Sequence, residues 1–287
     1  MDLDNKLNQI KIRDIIIIYL LSILIISGLI FIIIKLNHKN VGEFIIRIVV
    51  FILQLLICFM LLLKIKPSKE DIKALYNDFK KKIKKREILE VTFIKLCVAI
   101  GGSKLVLSIF YFMDPILVND FICQSTLLIS SGKGYIINFI LLVFISPIVE
   151  EIVFRGVILN KITEKFSMCS GIVVSSMIFA SFYAGSGIAG ALALGIINSI
   201  LYIKYRNILL PIIINSLNNI VLLILAFPLI KISRDNFTIS YNDILIDIIF
   251  GIILCFIGCF IMIKYISKNK VILNKYDKYI RDKKGIY

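Results

Sequence analysis

The chain has 287 residues, 59% of them hydrophobic, with a formal net charge of +15 and a single histidine. A soluble domain is roughly 45–50% apolar. The excess here lies in long uninterrupted runs, and no polar stretch is long enough for a soluble domain, which excludes a water-soluble globular enzyme. The positive charge does not point to nucleic acid, because it gathers at the ends of apolar runs, where orientation in a bilayer requires it.

The first apolar run, Ile15 to Ile34, is too long for a cleaved signal and has no small-residue cleavage site after it, so it reads as a signal anchor. His38, the one histidine, follows in a loop expected to be external. A second span is expected at 44–63. The segment 64–90 holds ten Lys or Arg, among them Lys80, Lys81, Lys82, Lys84, Lys85 and Arg86. Within it Ile72, Leu75, Phe79 and Ile83 recur at spacings of three and four, which suits either a helix lying on anionic lipid or a solvated charged loop. The third span, 91–112, carries Lys95 and Lys104, which must snorkel, pair or face the bundle interior.

Further spans are expected at 135–154, 168–186, 188–203, 209–230 and 244–265, followed by a basic tail with the same ambiguity as 64–90. The fifth and sixth are separated by little more than Gly185 to Gly187. In the sixth, Gly187, Ala191, Gly195 and Ser199 recur every four residues, a spacing that lets another helix approach closely. The expected fold class is therefore all-α, a polytopic membrane helix bundle of about eight transmembrane helices. Its parts are N-terminal membrane helices with the basic segment (1–134), a core (135–230), and a last helix with the basic tail (231–287).

Loop charges set the orientation. The N-terminal arm (Lys6, Lys11, Arg13), the segment 64–90, Arg155 with Lys161 and Lys165, Lys204 with Arg206, and the tail all fall on one side of an eight-span chain. The positive-inside rule puts that side, and both termini, in the cytoplasm. Six cysteines (Cys58, Cys97, Cys123, Cys169, Cys255, Cys259) show neither a disulfide framework nor zinc spacing and read as small apolar filler. An Ile- and Lys-rich composition fits an AT-rich bacterial genome, so the expected location is a bacterial plasma membrane.

Strongly polar groups within spans are costly, and each is a candidate site. Glu150 and Glu151 follow an apolar run, and Arg155 lies one helical turn beyond Glu151, a spacing that allows an ion pair. An ordinary helix end with a solvated Glu pair is the alternative. After Pro211, Asn215 and Asn219 share a helix face with Asn218 beside them. Three amides in an apolar span need partners, which interhelical hydrogen bonding alone could supply.

Together these clusters carry a resemblance. Glu150-Glu151-x-x-x-Arg155, placed at the cytosolic end of a span, resembles the first motif of the CPBP family of intramembrane proteases. That family includes the type II CAAX prenyl endopeptidases and bacterial bacteriocin-processing or self-immunity proteins. Its second motif is Phe-x-x-x-His on the next helix. Here Phe179-Ala180-Ser181-Phe182-Tyr183 puts Tyr183 where the histidine belongs. Its third motif, His-x-x-x-Asn after Pro-Ile, is matched by Pro211-Ile212 leading into Asn215-x-x-x-Asn219, with Asn215 in the histidine position. Gly195, Tyr202 and Leu209 also resemble the family, and the likeness covers about residues 135–225.

The resemblance implies a proteolytic site opening to the cytosol, in which a Glu activates water while His and Asn side chains bind a metal or stabilise the oxyanion. One histidine cannot fill two site positions under any alignment. Glu150 and Glu151 could still supply a base, and the Tyr183 hydroxyl and Asn215 amide could still donate to an oxyanion. Zinc, which the resemblance would bring, favours imidazole and thiolate, and Glu, Tyr and Asn offer oxygen only. No bound metal and no other cofactor is therefore expected. The expected site is Glu150, Glu151, Arg155, Tyr183, Asn215 and Asn219.

The expected function is that of a degenerate family member that binds a membrane peptide or membrane protein, in a role such as bacteriocin self-immunity. An active intramembrane endopeptidase working through the Glu pair is the first alternative. A transporter or structural membrane subunit is the second, although no pair of Gly- or Pro-broken spans marks an inverted repeat. The expected partners are that peptide or protein and the lipid bilayer, with no nucleic acid.

Overall fold

The computed structural model describes residues 3–37, 43–115, 118, 132–183, 187–226 and 241–284. The elements within them are all helical: α1 (Leu3–Gln9), α2 (Ile12–Asn37), α3 (Glu43–Ile65), α4 (Lys69–Lys82), α5 (Lys85–Met113), α6 (132–165), α7 (Met168–Ser181), α8 (Ile188–Tyr205), α9 (Leu209–Ala226) and α10 (Tyr241–Lys284). Six of them, α2, α3, α5, α6, α8 and α10, are long and apolar enough to cross a membrane. The other two expected spans are the shorter apolar helices α7 and α9. His38 and Cys123 lie outside the described residues.

Ile, Leu and Phe side chains cover much of the outer surface: Leu24, Phe31, Phe256 and Ile263 are all exposed. Lipid tails are as apolar as these side chains, so the helices are held together by close packing and polar contacts rather than by escape from water. The small-residue run in α8 serves that purpose. A Cβ added to Gly195 would lie 2.7 Å from Ser176 Cβ and 2.9 Å from its Cα, so α7 and α8 touch almost backbone to backbone.

The basic segments meet at one end of the bundle. Arg206 after α8 pairs with Asp4 of α1 and donates to the Tyr276 hydroxyl of α10 at 3.0 Å. Lys161 of α6 donates to the Asn8 carbonyl at 2.6 Å, and Lys204 pairs with Glu87 of α5 at 2.6 Å. The N-terminal arm, the 64–90 segment, the α6–α7 and α8–α9 connections and the tail therefore share one face, as the alternation of loop charge requires.

The segment 64–90 is helical over most of its length. Ser68 caps α4 in a reciprocal box, accepting from the Asp71 amide while the Asp71 carboxylate accepts from the Ser68 amide. Leu75, Phe79 and Ile83 pack on the core, whereas Ile72, expected on the same stripe, is 56% exposed. The tail is a continuation of the last span. Helix α10 runs unbroken to Lys284, and its buried Leu273 and Ile280 fix it to the bundle.

Candidate functional site

Helix α6 carries the Glu pair at its middle. Pro147 has no N–H and its ring would clash with the carbonyl four residues back in a regular α-helix. The coil opens into a π-helical turn over Leu141–Ile145, returns to α over Ser146–Glu151, and opens again over Ile152–Leu159. Glu150 and Glu151 thus sit on the last two residues of a short α turn between two widened ones, a setting that recurs at functional sites. The expectation of a span end is corrected. The helix continues to Lys165, because the residues after Arg155 remain apolar and the basic side chains come only with Lys161 and Lys165. Asn160, at the basic end, is about 13 Å along the helix from Glu151.

Five of the six expected site residues converge. Asn215 of α9 bridges both carboxylates, its Nδ2 donating to Glu150 Oε2 at 2.8 Å and to Glu151 Oε1 at 3.1 Å. The Tyr183 hydroxyl, just beyond α7, donates to Glu150 Oε1 at 3.2 Å. Glu151 is fully buried and lies 3.1 Å from Arg155 Nη1, a close charge contact one turn away. The Arg155 guanidinium stacks on the Phe179 ring at 4.6 Å and leans toward the Leu194 and Gly195 carbonyls of α8. Asn219 does not reach the carboxylates. Its Nδ2 donates at 2.7 Å to the Leu142 carbonyl, inside the first widened turn.

Two residues outside the expected set complete the cluster. Asn198 of α8 donates through Nδ2 to Glu151 Oε1 at 2.7 Å and accepts through Oδ1 from Lys95 Nζ at 2.6 Å. Lys95 of α5 is 1% exposed. Two carboxylates and two cations, Glu150, Glu151, Arg155 and Lys95, are therefore balanced in charge inside the bundle. Asn198 was open to sequence reasoning as an amide within an apolar span, a costly placement without partners. Its links to Lys95 and Glu151 depend on three separate helices coming together.

A cavity of about 180 Å³ adjoins the cluster, with Tyr183, Asn215, Asn218 and Asn219 on its polar side and Ala99, Leu194 and Leu222 among its apolar walls. Its α5 wall, Ala99 to Ser103, lies about 18–24 Å along the helix from Glu87, which marks the basic end. Its α8 wall begins at Gly187, about 27 Å from Tyr205. The cavity thus extends from the carboxylates away from the basic end, where buried Tyr202 and Asn160 close the bundle. This cavity does not lie toward the end at which the resemblance implied an opening. Asn215 Oδ1 and Asn218 Oδ1 are buried beside the cavity without a hydrogen-bond partner among the described residues.

Residues 132–221 match a family model described as type II CAAX prenyl endopeptidase Rce1-like. Over that stretch the chain is similar to the Rce1-like family. The match spans α6, α7, α8 and most of α9, so it contains Glu150, Glu151, Arg155, Tyr183, Asn198 and Asn215, while Lys95 comes from outside it. It covers less than half of the chain. No curated protein and no solved structure matches the chain.

The donor set at the Glu pair does not fit a zinc ion. Zinc favours imidazole and thiolate donors, and the groups at the Glu pair are carboxylate, phenol and amide. Both carboxylates already accept from protein donors. Among the described residues no three His, Cys, Asp or Glu side chains gather as a metal site.

Proposed function

We propose that this protein is a non-hydrolytic Rce1-like membrane protein that holds a membrane peptide or the membrane segment of a partner protein, with its basic end in the cytoplasm of a bacterium. The observation that carries this reading is the occupation of the Glu pair. Glu150 accepts from Tyr183 and Asn215, and Glu151 accepts from Asn198 and Asn215 and faces Arg155. These bonds leave lone pairs on each carboxylate, but a general base must also meet a water as it takes the proton, and moving either Glu to do so would break its ties to the neighbouring helices. Here the carboxylates serve as anchors for three helices, and the single histidine of the chain, His38, is far from this motif in sequence.

The cavity supports binding. Its walls are mostly apolar, as a short stretch of acyl chain or an apolar side chain of a membrane segment requires. The unpartnered Asn215 Oδ1 and Asn218 Oδ1 are acceptors for the N–H groups of a locally unwound segment. Recognition of a bacteriocin or of its receptor, giving self-immunity, is the physiological role consistent with this chemistry.

A second reading, an active endopeptidase, is favoured by one feature. Glu150 is only half-buried and keeps two donors beside it that could serve a developing oxyanion. A cleavage assay in proteoliposomes, with a membrane-peptide library read by mass spectrometry, separates the readings. The wild type is expected to cut nothing, and the Tyr183→His/Asn215→His variant is the one in which cleavage would emerge. Cleavage by the wild type that disappears in Glu150→Gln/Glu151→Gln would establish the second reading instead.

A further inference from the structure

A second cavity shares no lining residue with the first. It measures about 590 Å³ and is formed where α1 turns into α2 and where α3 ends, lined by Lys6, Gln9, Ile10, Lys11, Arg13, Asp14, Lys64, Ile65 and Lys66. Five of those side chains are cations and one is an anion. Lys6 is answered by Asp71 and Lys64 by Asp14 at 3.5 Å. Lys11, Arg13 and Lys66 are exposed and have no carboxylate at ion-pair distance among the described residues.

The crevice is built rather than incidental. Lys66 has a left-handed backbone with φ of 49°, uncommon for a residue with a side chain. Two bonds hold it there: its own amide donates to the Leu62 carbonyl at 2.9 Å, and its carbonyl accepts from Lys6 Nζ at 3.1 Å. The arrangement ends α3 abruptly and ties that end to α1.

The level of the crevice points to its ligand. The apolar spans of α2 and α3 begin at Ile12 and end at Ile65, so both leave the hydrocarbon at this depth. Just below it Ile16, Ile17, Leu62 and Leu63 present exposed apolar surface. Cations at the polar boundary above an apolar flank match the two halves of a phospholipid, and juxtamembrane cations attract anionic headgroups. We propose that this crevice is a site for a phosphoryl group, the headgroup phosphate of an anionic phospholipid whose acyl chains lie along α2 and α3.

The test uses the full chain in detergent, with native mass spectrometry to count retained phosphatidylglycerol or phosphatidylcholine. The wild type should retain the anionic lipid in preference to the zwitterionic one. Lys11→Gln/Arg13→Gln/Lys66→Gln should lower that retention roughly 100-fold, since each of the three cations near the surface contributes about 1 kcal/mol. Lys11→Arg/Lys66→Arg, which keeps the charge, should restore it and also show that the crevice folds. Lys268→Gln/Lys270→Gln/Lys275→Gln removes the same charge from the exposed tail and should leave retention unchanged. An equal fall in both neutralised variants would overturn the proposal, because the effect would then be general attraction. Equal retention of the two lipids by the wild type would also overturn it. Protection from unfolding by inorganic phosphate alone, with no gain from phosphatidylglycerol, would reassign the site to a soluble phosphate compound.

Discussion

The charge balance around Glu151 makes a quantitative prediction. Arg155→Met leaves Glu150 and Glu151 opposed by Lys95 alone, in a place where Arg155 and Glu151 are at most 1% exposed. Removing one partner of a buried pair costs about 3–5 kcal/mol, because the remaining charge cannot be rehydrated. Loss of the guanidinium from the Phe179 ring, 4.6 Å away, adds to this, by up to about 2 kcal/mol for a desolvated contact. At roughly 2–4 °C per kcal/mol, the ion-pair term alone lowers the melting point by about 6–20 °C. The second substitution is diagnostic. Adding Glu151→Gln restores neutrality between Glu150 and Lys95, while the Gln carbonyl still accepts from Asn198 and Asn215. The double variant should therefore be more stable than Arg155→Met alone, with a coupling of about 1–3 kcal/mol. The assay is the temperature at which half of the monodisperse peak is lost in detergent. Strictly additive losses would refute the balance argument, as would an Arg155→Met variant with unchanged stability.

Other outcomes follow from single contacts. Lys95→Met should destabilise the bundle by the same detergent assay, and Asn198→Leu should do so as well, because it removes the link from Lys95 to Glu151. Tyr183→Phe should cost about 1.5–3 kcal/mol, the net worth of one hydrogen bond to a carboxylate, which still keeps Asn215. Gly195→Ala should cost about 1–3 kcal/mol through forced separation of α7 and α8, seen as a lower melting point. Lys6 and the Ser68 amide hold the Asp71 carboxyl down to about 2, below its ordinary value of 3.8. The unfolded state binds the proton first, so this contribution is complete above about pH 4 and is lost as pH falls through about 2. Proteolysis or hydrogen exchange of α1 across that window should show the change in wild type and not in Asp71→Asn.

The sequence displayed the membrane class openly, because long apolar runs have no other stable outcome. It also displayed the Glu151–Arg155 contact, which needs only the period of one helix. Lengths were harder to read. The fourth span is expected to end at 154, yet α6 runs to Lys165, because Pro147 widens the coil without ending it and the residues after Arg155 remain apolar. Asn219 shares a face with Asn215, yet it serves the Leu142 carbonyl, a group whose direction depends on the π-helical turn. Lys95 was visible as a misplaced charge, but its partner sits 103 residues further along. Nothing local in either segment announces the other.

The position of Lys95 also bears on how the protein is made. Helix α5 is synthesised before α6 and α8, so its lysine enters the bilayer ahead of Asn198 and Glu151. Until they arrive, Lys95 lies a few residues inside its span without those partners, at a cost below the roughly 2.5–3.5 kcal/mol of a Lys at a span's centre, offset by the apolar residues around it. When α6 follows, its buried carboxylates meet a counter-charge already in place. An isolated 132–221 segment would have to bring the same acidic pair into lipid with Arg155 as its only buried counter-charge, without Lys95. Chain order makes the first half of the protein a template on which the second half can be inserted.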